Sequence, residues 1–521
     1  MTNDQVKKNV VKSTLSGYAR LVVRMGLGLI TFRLLYQGLT PEQFGFWSLL
    51  WAIFGYGILL DFGFGYAAQK RVAELSVRKD WDQMSRVLST IFFFYFLGAM
   101  VAVGLGLLCS GPLIDLFKVS TEHREEYRRI LMVFLIGTGL AFPMGIFPEV
   151  LQGQQRIIAA NNLGILSTLA NFIAVACVVW FHLSFSMLIL LALLGMILPL
   201  VWAAKLAMDY MPAVKLRPAL FSLRAIYETS RFSLFAYLNM LSNVLRNKTD
   251  QPVISAILGV GSITPYQAGS KVGEMFGQLT RQIADVLSPT AAHLYARGDQ
   301  AALRTMLFNG MRYTVLAATP LYIVSAAYMD GVIRLLTGVK HPTAEMFWAG
   351  HLLLFWYYSL AMTHWVYKRM FMMAGQERRM MWQGALEAVA NLALSIGLTL
   401  WLKSILGVAL GSVIPTFLLG WGLLWGWAAS EAGLSRSALF RRVILSPWLG
   451  CLPMIAVAVG LHCQPWWISG HNVWLVLAEG GIVGVVGLAG IWQLSLSPQE
   501  RANFTAQLGR KFGLRSKAQK S

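Results

Sequence analysis

Apolar residues run along this chain in long blocks separated by short polar connections. The blocks approach the ~20 residues that an α-helix needs to cross a bilayer. Fourteen can be drawn: 15–39, 44–67, 87–108, 130–151, 157–179, 185–208, 232–258, 266–287, 311–329, 347–366, 380–402, 405–428, 443–461 and 473–494. The seventh and eighth are the least apolar. A helix satisfies its backbone donors and acceptors internally, as hydrocarbon demands. The pattern therefore predicts an all-α polytopic membrane protein with about fourteen transmembrane helices.

The polar positions inside these blocks carry the candidate chemistry. The first block holds Arg20, Arg24 and Arg33. A guanidinium at mid-bilayer costs roughly 2.5 kcal/mol or more, so such residues face a polar cavity or a partner. Arg20 and Arg24 share one helix face, while Arg33 is turned from Arg20 by ~140°. Arg20 and Arg33 either line a cavity or snorkel to a boundary; Arg24 is the first candidate for an internal anion contact.

The seventh block holds Arg246, Lys248 and Asp250, with Arg246 and Asp250 spaced for an i,i+4 ion pair that leaves Lys248 over. On the eighth, Lys271, Glu274, Gln278, Arg281 and Asp285 recur at three-four-three-four spacing and form one polar stripe. Inside a bundle such a stripe must meet water, because burying unpaired charge is prohibitive. Glu274 and Asp285 suit either locking pairs or a direct role, and Lys271 and Arg281 lean towards cargo contact. Asp61, in the second block, pairs with an arginine of the first helix or binds a coupling cation. The cationic excess points to a transporter of anionic cargo.

Composition agrees with the membrane class: 56% of residues are hydrophobic and only 13% charged. The net charge of +20 could suggest nucleic-acid binding, but its distribution does not. With the N-terminus inside, cytoplasmic segments hold 28 of the 44 Lys and Arg, opposite loops 7, and the spans 9. That bias follows the positive-inside rule and places both termini in the cytoplasm. Short basic loops and the tail 510–520 snorkel beside anionic headgroups, so nucleic acid is not an expected partner. Lys7, Lys8 and Lys12 precede no compact apolar region with a small-residue cleavage site, unlike a removed signal peptide. Cys177 and Cys451 lie in apolar spans; Cys109 and Cys463 fall near the outer face, where a disulfide is open to them but not required. No cofactor or metal motif is present.

Two passages recur about 220 residues apart. Leu151-Gln-Gly-Gln-Gln-Arg156, followed by Leu169-Ala-Asn171 and Trp180, is matched by Met373-Ala-Gly-Gln-Glu-Arg378, Val389-Ala-Asn391 and Trp401. The turn Gly38-Leu-Thr-Pro-Glu-Gln-Phe-Gly-Phe-Trp47 is matched by Leu258-Gly-Val-Gly-Ser-Ile-Thr-Pro-Tyr266. Two matches in the same order indicate a duplicated six-helix unit. The expected domains are an N-terminal lobe (1–208), a C-terminal lobe (209–430), two appended helices (431–496) and a basic cytoplasmic tail (497–521). Transporters built from such parallel repeats hold cargo between the halves and rock them to alternate access. The outer piece 121–129 mixes acids and bases and suits a short surface helix.

At the opening hairpin, through Leu59-Leu-Asp-Phe-Gly-Phe-Gly65 and Arg71, and at the paired Gln-Gly-Gln-Gln-Arg and Ala-Gly-Gln-Glu-Arg loops, the chain resembles the polysaccharide transporter family. These are the Wzx-type flippases of lipid-linked oligosaccharides, within the multidrug/oligosaccharidyl-lipid/polysaccharide exporter superfamily, and the resemblance covers roughly residues 10–430. It implies a V-shaped bundle of two six-helix lobes around a cationic cavity. It also implies a function: moving undecaprenyl-pyrophosphate-linked sugar units, such as O-antigen or exopolysaccharide repeats, across the bacterial cytoplasmic membrane. A polysaccharide polymerase and chain-length proteins are the implied partners besides the bilayer. On this reading arginine forks and lysine point charges hold the diphosphate. Asn239, Asn243, Tyr266, Gln267, Trp356, Tyr357 and Tyr358 could hydrogen-bond or stack on the sugars, although such aromatics are more often core or interface anchors, and the prenyl tail would stay in lipid. An interior-negative potential would help two outgoing charges by roughly 2.3 kcal/mol per charge per 100 mV.

The rivals are a lipid II-type flippase, a drug or cation antiporter of the same superfamily, a membrane glycosyltransferase, polymerase or ligase, and an inert scaffold. The basic, Asn-rich stretch expected of the lipid II flippase after its second helix is not recognisable. An antiporter would place acids rather than three arginines in its first helices. A glycosyltransferase would need a large extramembrane loop. No Gly-x-x-x-x-Gly-Lys-Ser/Thr loop supports an ATP-driven pump, and Gly63-x-Gly65 and Gly104-x-Gly106 read as close-packing sites in apolar helices.

Overall fold

The computed structural model describes residues 3–222, 234–463 and 473–511. The first residues of the seventh block, the end of the inner connection 209–231 and the tail beyond residue 511 lie outside the described residues. Among the described residues the secondary structure is helical throughout, with no strand. Among the described residues nine helices are long and apolar enough to span a membrane. The pair Gln300–Ala327 and Met329–Thr337, bent by 75°, makes a tenth. Ten of the fourteen drawn blocks are thus met, and the full count is not. The first, seventh, eighth and tenth blocks are also helical, but they carry the internal charges and polar residues that lower their hydropathy.

The chain forms two compact units. The first comprises residues 1–264, 336–338 and 395–408. It contains α1 (Asn3–Gly38), α2 (Pro41–Tyr56), α3 (Phe64–Arg78), α4 (Trp81–Leu108), α5 (Ser110–Leu116), α6 (Arg124–Met144), α7 (Ile146–Gly153), α8 (Ile157–Trp180), α9 (Phe185–Asp209), α10 (Leu234–Lys248) and α11 (Asp250–Leu258). Its α2 starts where the sequence says it must. Thr40 Oγ1 accepts the Gln43 N–H, the Gln43 side chain accepts the Thr40 N–H, and Pro41 occupies the first turn. Gly45 then lets the chain pass so close to Val260 that a Cβ would lie 2.0 Å from its carbonyl oxygen, and Thr264 Oγ1 donates to the Pro41 carbonyl at 2.6 Å. The two matching turns therefore pack directly on each other. A core of Phe64, Val72, Leu88, Ile91, Phe147 and Leu151 joins α3, α4 and α7.

The second unit comprises residues 265–335, 339–394 and 409–521. Its main helices are α12 (Ile263–Ala296), α13 (Gln300–Ala327), α14 (Met329–Thr337), α15 (Ala344–Thr363), α16 (Trp365–Met373), α17 (Glu377–Leu402) and α18 (Leu406–Leu419). After them come α19 (Trp425–Glu431), α20 (Arg436–Phe440), α21 (Ser446–Gly450), α22 (Leu452–His462), α23 (Val473–Gly490) and α24 (Pro498–Lys511). Leu316, Ile323, Cys451, Met454 and Val483 tie α13 to the appended helices.

Two local expectations are corrected and one that was left open is decided. The piece 121–129 is a short 3-10 turn running straight into α6, so it extends a span rather than forming a separate surface helix. Gly63 lies at a helix break with φ 79°, after Phe62 at φ 47°, so Gly63-x-Gly65 serves a turn there. All four cysteines are free thiols.

Candidate functional site

Each unit carries its own set of cations. On α1, Arg20 and Arg24 are exposed and Arg33 is half-buried. The Arg20 guanidinium reaches the Asn161 side chain on α8 at 3.5 Å and lies against Gly164, where a Cβ would sit 2.5 Å from Nε. Only glycine leaves that groove open. Arg24 makes no ion pair among the described residues.

Asp61 does not take an α1 arginine as its hydrogen-bonding partner. Its Oδ1 accepts the Gly65 N–H at 2.9 Å, capping the start of α3, and the Tyr95 hydroxyl of α4. Glu149 of α7 lies within electrostatic range of both Asp61 and Arg20. A Cβ at Gly65 would sit 3.3 Å from Asp61 Oδ1 and 3.6 Å from Glu149 Cγ. The glycine thus lets two carboxylates and a buried tyrosine share one cluster. Glu149 and Tyr95 carry no sequence signal linking them to Asp61, since each comes from a different helix.

In the seventh block α10 ends at Lys248 and α11 begins at Asp250, with Thr249 between them still in helical backbone conformation. Arg246 donates to Asn243 Oδ1 at 3.0 Å. Lys248 is exposed, its stem lying over Gly55 of α2, where a Cβ would be 3.0 Å from Cε. Tyr56 and Thr249 hydroxyls meet at 3.1 Å at this junction.

On α12 the stripe is neutralised in pairs. Lys271 Nζ meets Glu274 at 3.0 Å. Asp285 is bracketed by Arg281 at 3.7 Å and by Arg369 of α16 at 3.0 Å. Another face of α12 carries Gly269, Gly273 and Gly277 at four-residue intervals. A Cβ at any of them would press into α15 at Met346, Gly350, Leu353 or Tyr357 within 2.5–3.2 Å. Such small-residue seams let membrane helices approach closely.

Several polar side chains expected to meet sugars are structural. Trp356 is 3% exposed and donates to Thr416 Oγ1 at 2.8 Å, and Tyr358, 2% exposed, bonds Thr319 at 2.9 Å and Trp448 at 3.0 Å. Tyr266 and Asn239 are equally buried. The polar tips of Trp356 and Tyr358 are used to satisfy buried partners, as an apolar bundle requires.

The duplicated loops form the same turn. Arg156 N–H bonds the Leu151 carbonyl at 2.8 Å past Gln155 at φ 62°, and Gln376 N–H bonds Phe371 at 3.0 Å past Gly375 at φ 74°. An arginine then covers an aromatic ring in each: Arg156 over Tyr210 at 4.3 Å, Arg379 over Trp427 at 3.8 Å.

A family model described as polysaccharide biosynthesis protein matches residues 7–294. No curated protein matches the chain. Among solved structures, the chain is similar to an inward-facing multidrug resistance MATE family transporter of the MOP superfamily, with TM-score 0.68 and 15% identity over 81% of this chain and 98% of that one. It is equally similar to the lipid II flippase MurJ in an inward closed conformation, with TM-score 0.68 and 16% identity over 96% of this chain and 99% of that one. An outward-facing MATE transporter gives TM-score 0.56 at 15% identity, covering 82% and 96%. At such identities the likeness concerns the fold: a multi-pass transporter architecture.

Proposed function

Because the chain belongs to the polysaccharide biosynthesis protein family and has the fold of membrane transporters, we propose that it is a flippase for undecaprenyl-pyrophosphate-linked oligosaccharide repeat units. It moves them from the inner to the outer leaflet of the bacterial cytoplasmic membrane by alternating access, for O-antigen or exopolysaccharide assembly. Its six-helix halves rock, its termini lie in the cytoplasm, and a polymerase and chain-length proteins receive the product. The observation that supports this most is the cationic face of α1, where Arg24 is exposed and makes no ion pair among the described residues. A cation kept free in an apolar helix costs stability unless an anion visits it. A diphosphate, with about two charges, is such an anion, and arginine binds it with a bidentate fork.

Arg20, Arg33, Arg246, Lys248, Lys271 and Arg281 complete the proposed cationic set. Asp61, Asp250, Glu274 and Asp285 serve as counter-ions or coupling groups. The membrane potential, at roughly 2.3 kcal/mol per charge per 100 mV, drives the anion outward. The test is the precursor that accumulates in cells lacking the protein. An inner-leaflet, pyrophosphate-linked sugar repeat unit supports the reading. Accumulated peptidoglycan precursor would reassign the cargo, and hypersensitivity to cationic drugs without glycan accumulation would overturn the flippase reading.

A further inference from the structure

Inside the second unit a sealed polar cluster joins three helices. Glu387 of α17 is 0% exposed and His364, at the break between α15 and α16, is 1% exposed. The direction of each hydrogen bond follows from chemistry. Trp356 Nε1 can only donate, and it donates to Thr416 Oγ1, so the Thr416 proton points at Glu387 Oε1, 2.7 Å away. Gln383 Nε2 donates to Glu387 Oε2 at 2.8 Å, and His364 Nε2 faces the same oxygen at 3.3 Å. On the other side of the ring, Nδ1 lies 2.7 Å from Thr363 Oγ1, which is 2.8 Å from the Ser359 carbonyl. A carbonyl only accepts, so in the tautomer that keeps this bond Thr363 donates to it and accepts from Nδ1–H.

With Nδ1 protonated, the contact between Nε2 and Glu387 requires one more proton. It is held as an imidazolium facing a carboxylate or as a carboxylic acid facing a neutral ring. Without it two lone pairs oppose each other in a site that water does not reach, which is costly at low dielectric. Neighbouring groups set the field. Lys368, 9% exposed, follows His364 by one turn, its N–H bonding the His364 carbonyl at 2.8 Å. Tyr367 interacts with Arg379 and Glu431, which pair at 3.9 Å towards the helix ends. From α18 and the turn after it the cluster meets Thr416 and the backbone of Gly420.

The cluster also joins two backbone irregularities. The helix 344–373 breaks at His364, and α18 passes into a π-helical turn, Gly420–Leu424. A Cβ at Gly420 would lie 2.7 Å from Thr363 Oγ1 and 2.9 Å from His364 Cε1. π-turns frequently mark functional positions.

We propose that His364 and Glu387 form a proton-binding site whose occupancy sets the geometry of this broken helix. Uptake forms one N–H or O–H bond with a proton from water, and release returns it. The proposal rests on the transport reading above, but its test uses no cargo. The full chain, in liposomes of neutral phospholipid on a solid-supported membrane, receives a pH jump, and the transient charge movement is recorded. Wild type should give a saturable signal that falls at least ten-fold in both Glu387→Gln and His364→Gln. Thr363→Val, which keeps both titrating groups and removes the acceptor of Nδ1–H, should lower its pH midpoint by about one unit. Charge movement within two-fold of wild type in both glutamine variants, or an unmoved midpoint in Thr363→Val, would overturn the proposal. Loss of glycan specificity with the pH-jump signal intact would sink the proposed cargo and leave this site standing.

Discussion

Helices α1 and α12 both place cations in segments of membrane-spanning length, yet they handle the charge in opposite ways. On α12 each cation has a carboxylate nearby, Lys271 at 3.0 Å from Glu274 and Arg281 at 3.7 Å from Asp285. On α1, Arg24 is exposed with no ion pair among the described residues, and Arg20 hydrogen-bonds an amide while lying within electrostatic range of Glu149. Paired charge holds a bundle in one arrangement at little net electrostatic gain, since desolvation offsets attraction. Unpaired charge keeps its attraction for a visitor. The proposed division of labour is that α1 recognises the anion while α12 positions itself through its pairs and its glycine seam.

The largest break in that comparison should come from Arg24→Ala. Losing a charged hydrogen-bonding group typically removes ~1.5–3 kcal/mol, so surface-glycan export at normal protein abundance should fall by about ten- to a hundred-fold. Lys271→Ala should cost less, about two- to five-fold, because its partly exposed pair is worth ~0.2–1 kcal/mol. It should also lower the melting temperature, by leaving Glu274 without that ammonium. Glu274→Gln sharpens the contrast in the opposite direction. Freeing Lys271 should raise affinity for a diphosphate lipid by up to about three-fold, read by titration in nanodiscs. An unchanged affinity would make α12 purely structural.

The smallest effect belongs to a cation wholly committed to structure. Arg312 of α13 clasps Glu500 of α24 with both terminal nitrogens, one at 3.1 Å, and bonds the Ser495 carbonyl at 2.8 Å. Desolvation alone would raise the Glu500 carboxyl, but hydrogen bonds from Ser497 and Arg312 outweigh it and hold it below its ordinary range. A depressed carboxyl contributes stability above its unfolded value, ~4.3, and loses it as pH falls through the lowered folded value. Limited proteolysis should therefore find α24 protected at neutral pH and released only in acid. In Arg312→Ala it should be released at neutral pH, with glycan export reduced less than two-fold.

The sequence made the helical class, the α1 arginines, the α12 stripe and the duplicated turns legible, because each is a matter of spacing along one helix. Contacts between helices were not legible in this way. Asp61 could not be linked to Tyr95 and Glu149, nor His364 to Glu387, because their sequence separations carry no period. Trp356 and Tyr358 looked like sugar platforms because an aromatic ring suits a cavity wall and a core equally well. Only their burial and satisfied tips decide between the two.

The central claim is that Arg24 on α1 recognises a diphosphate. The direct measurement is equilibrium binding of undecaprenyl diphosphate and undecaprenyl monophosphate to the full chain in nanodiscs, for wild type and Arg24→Ala. The account predicts that wild type binds the diphosphate at least ten-fold more tightly and that Arg24→Ala abolishes most of this preference. Equal affinities in wild type, or a preference untouched by the substitution, would contradict it.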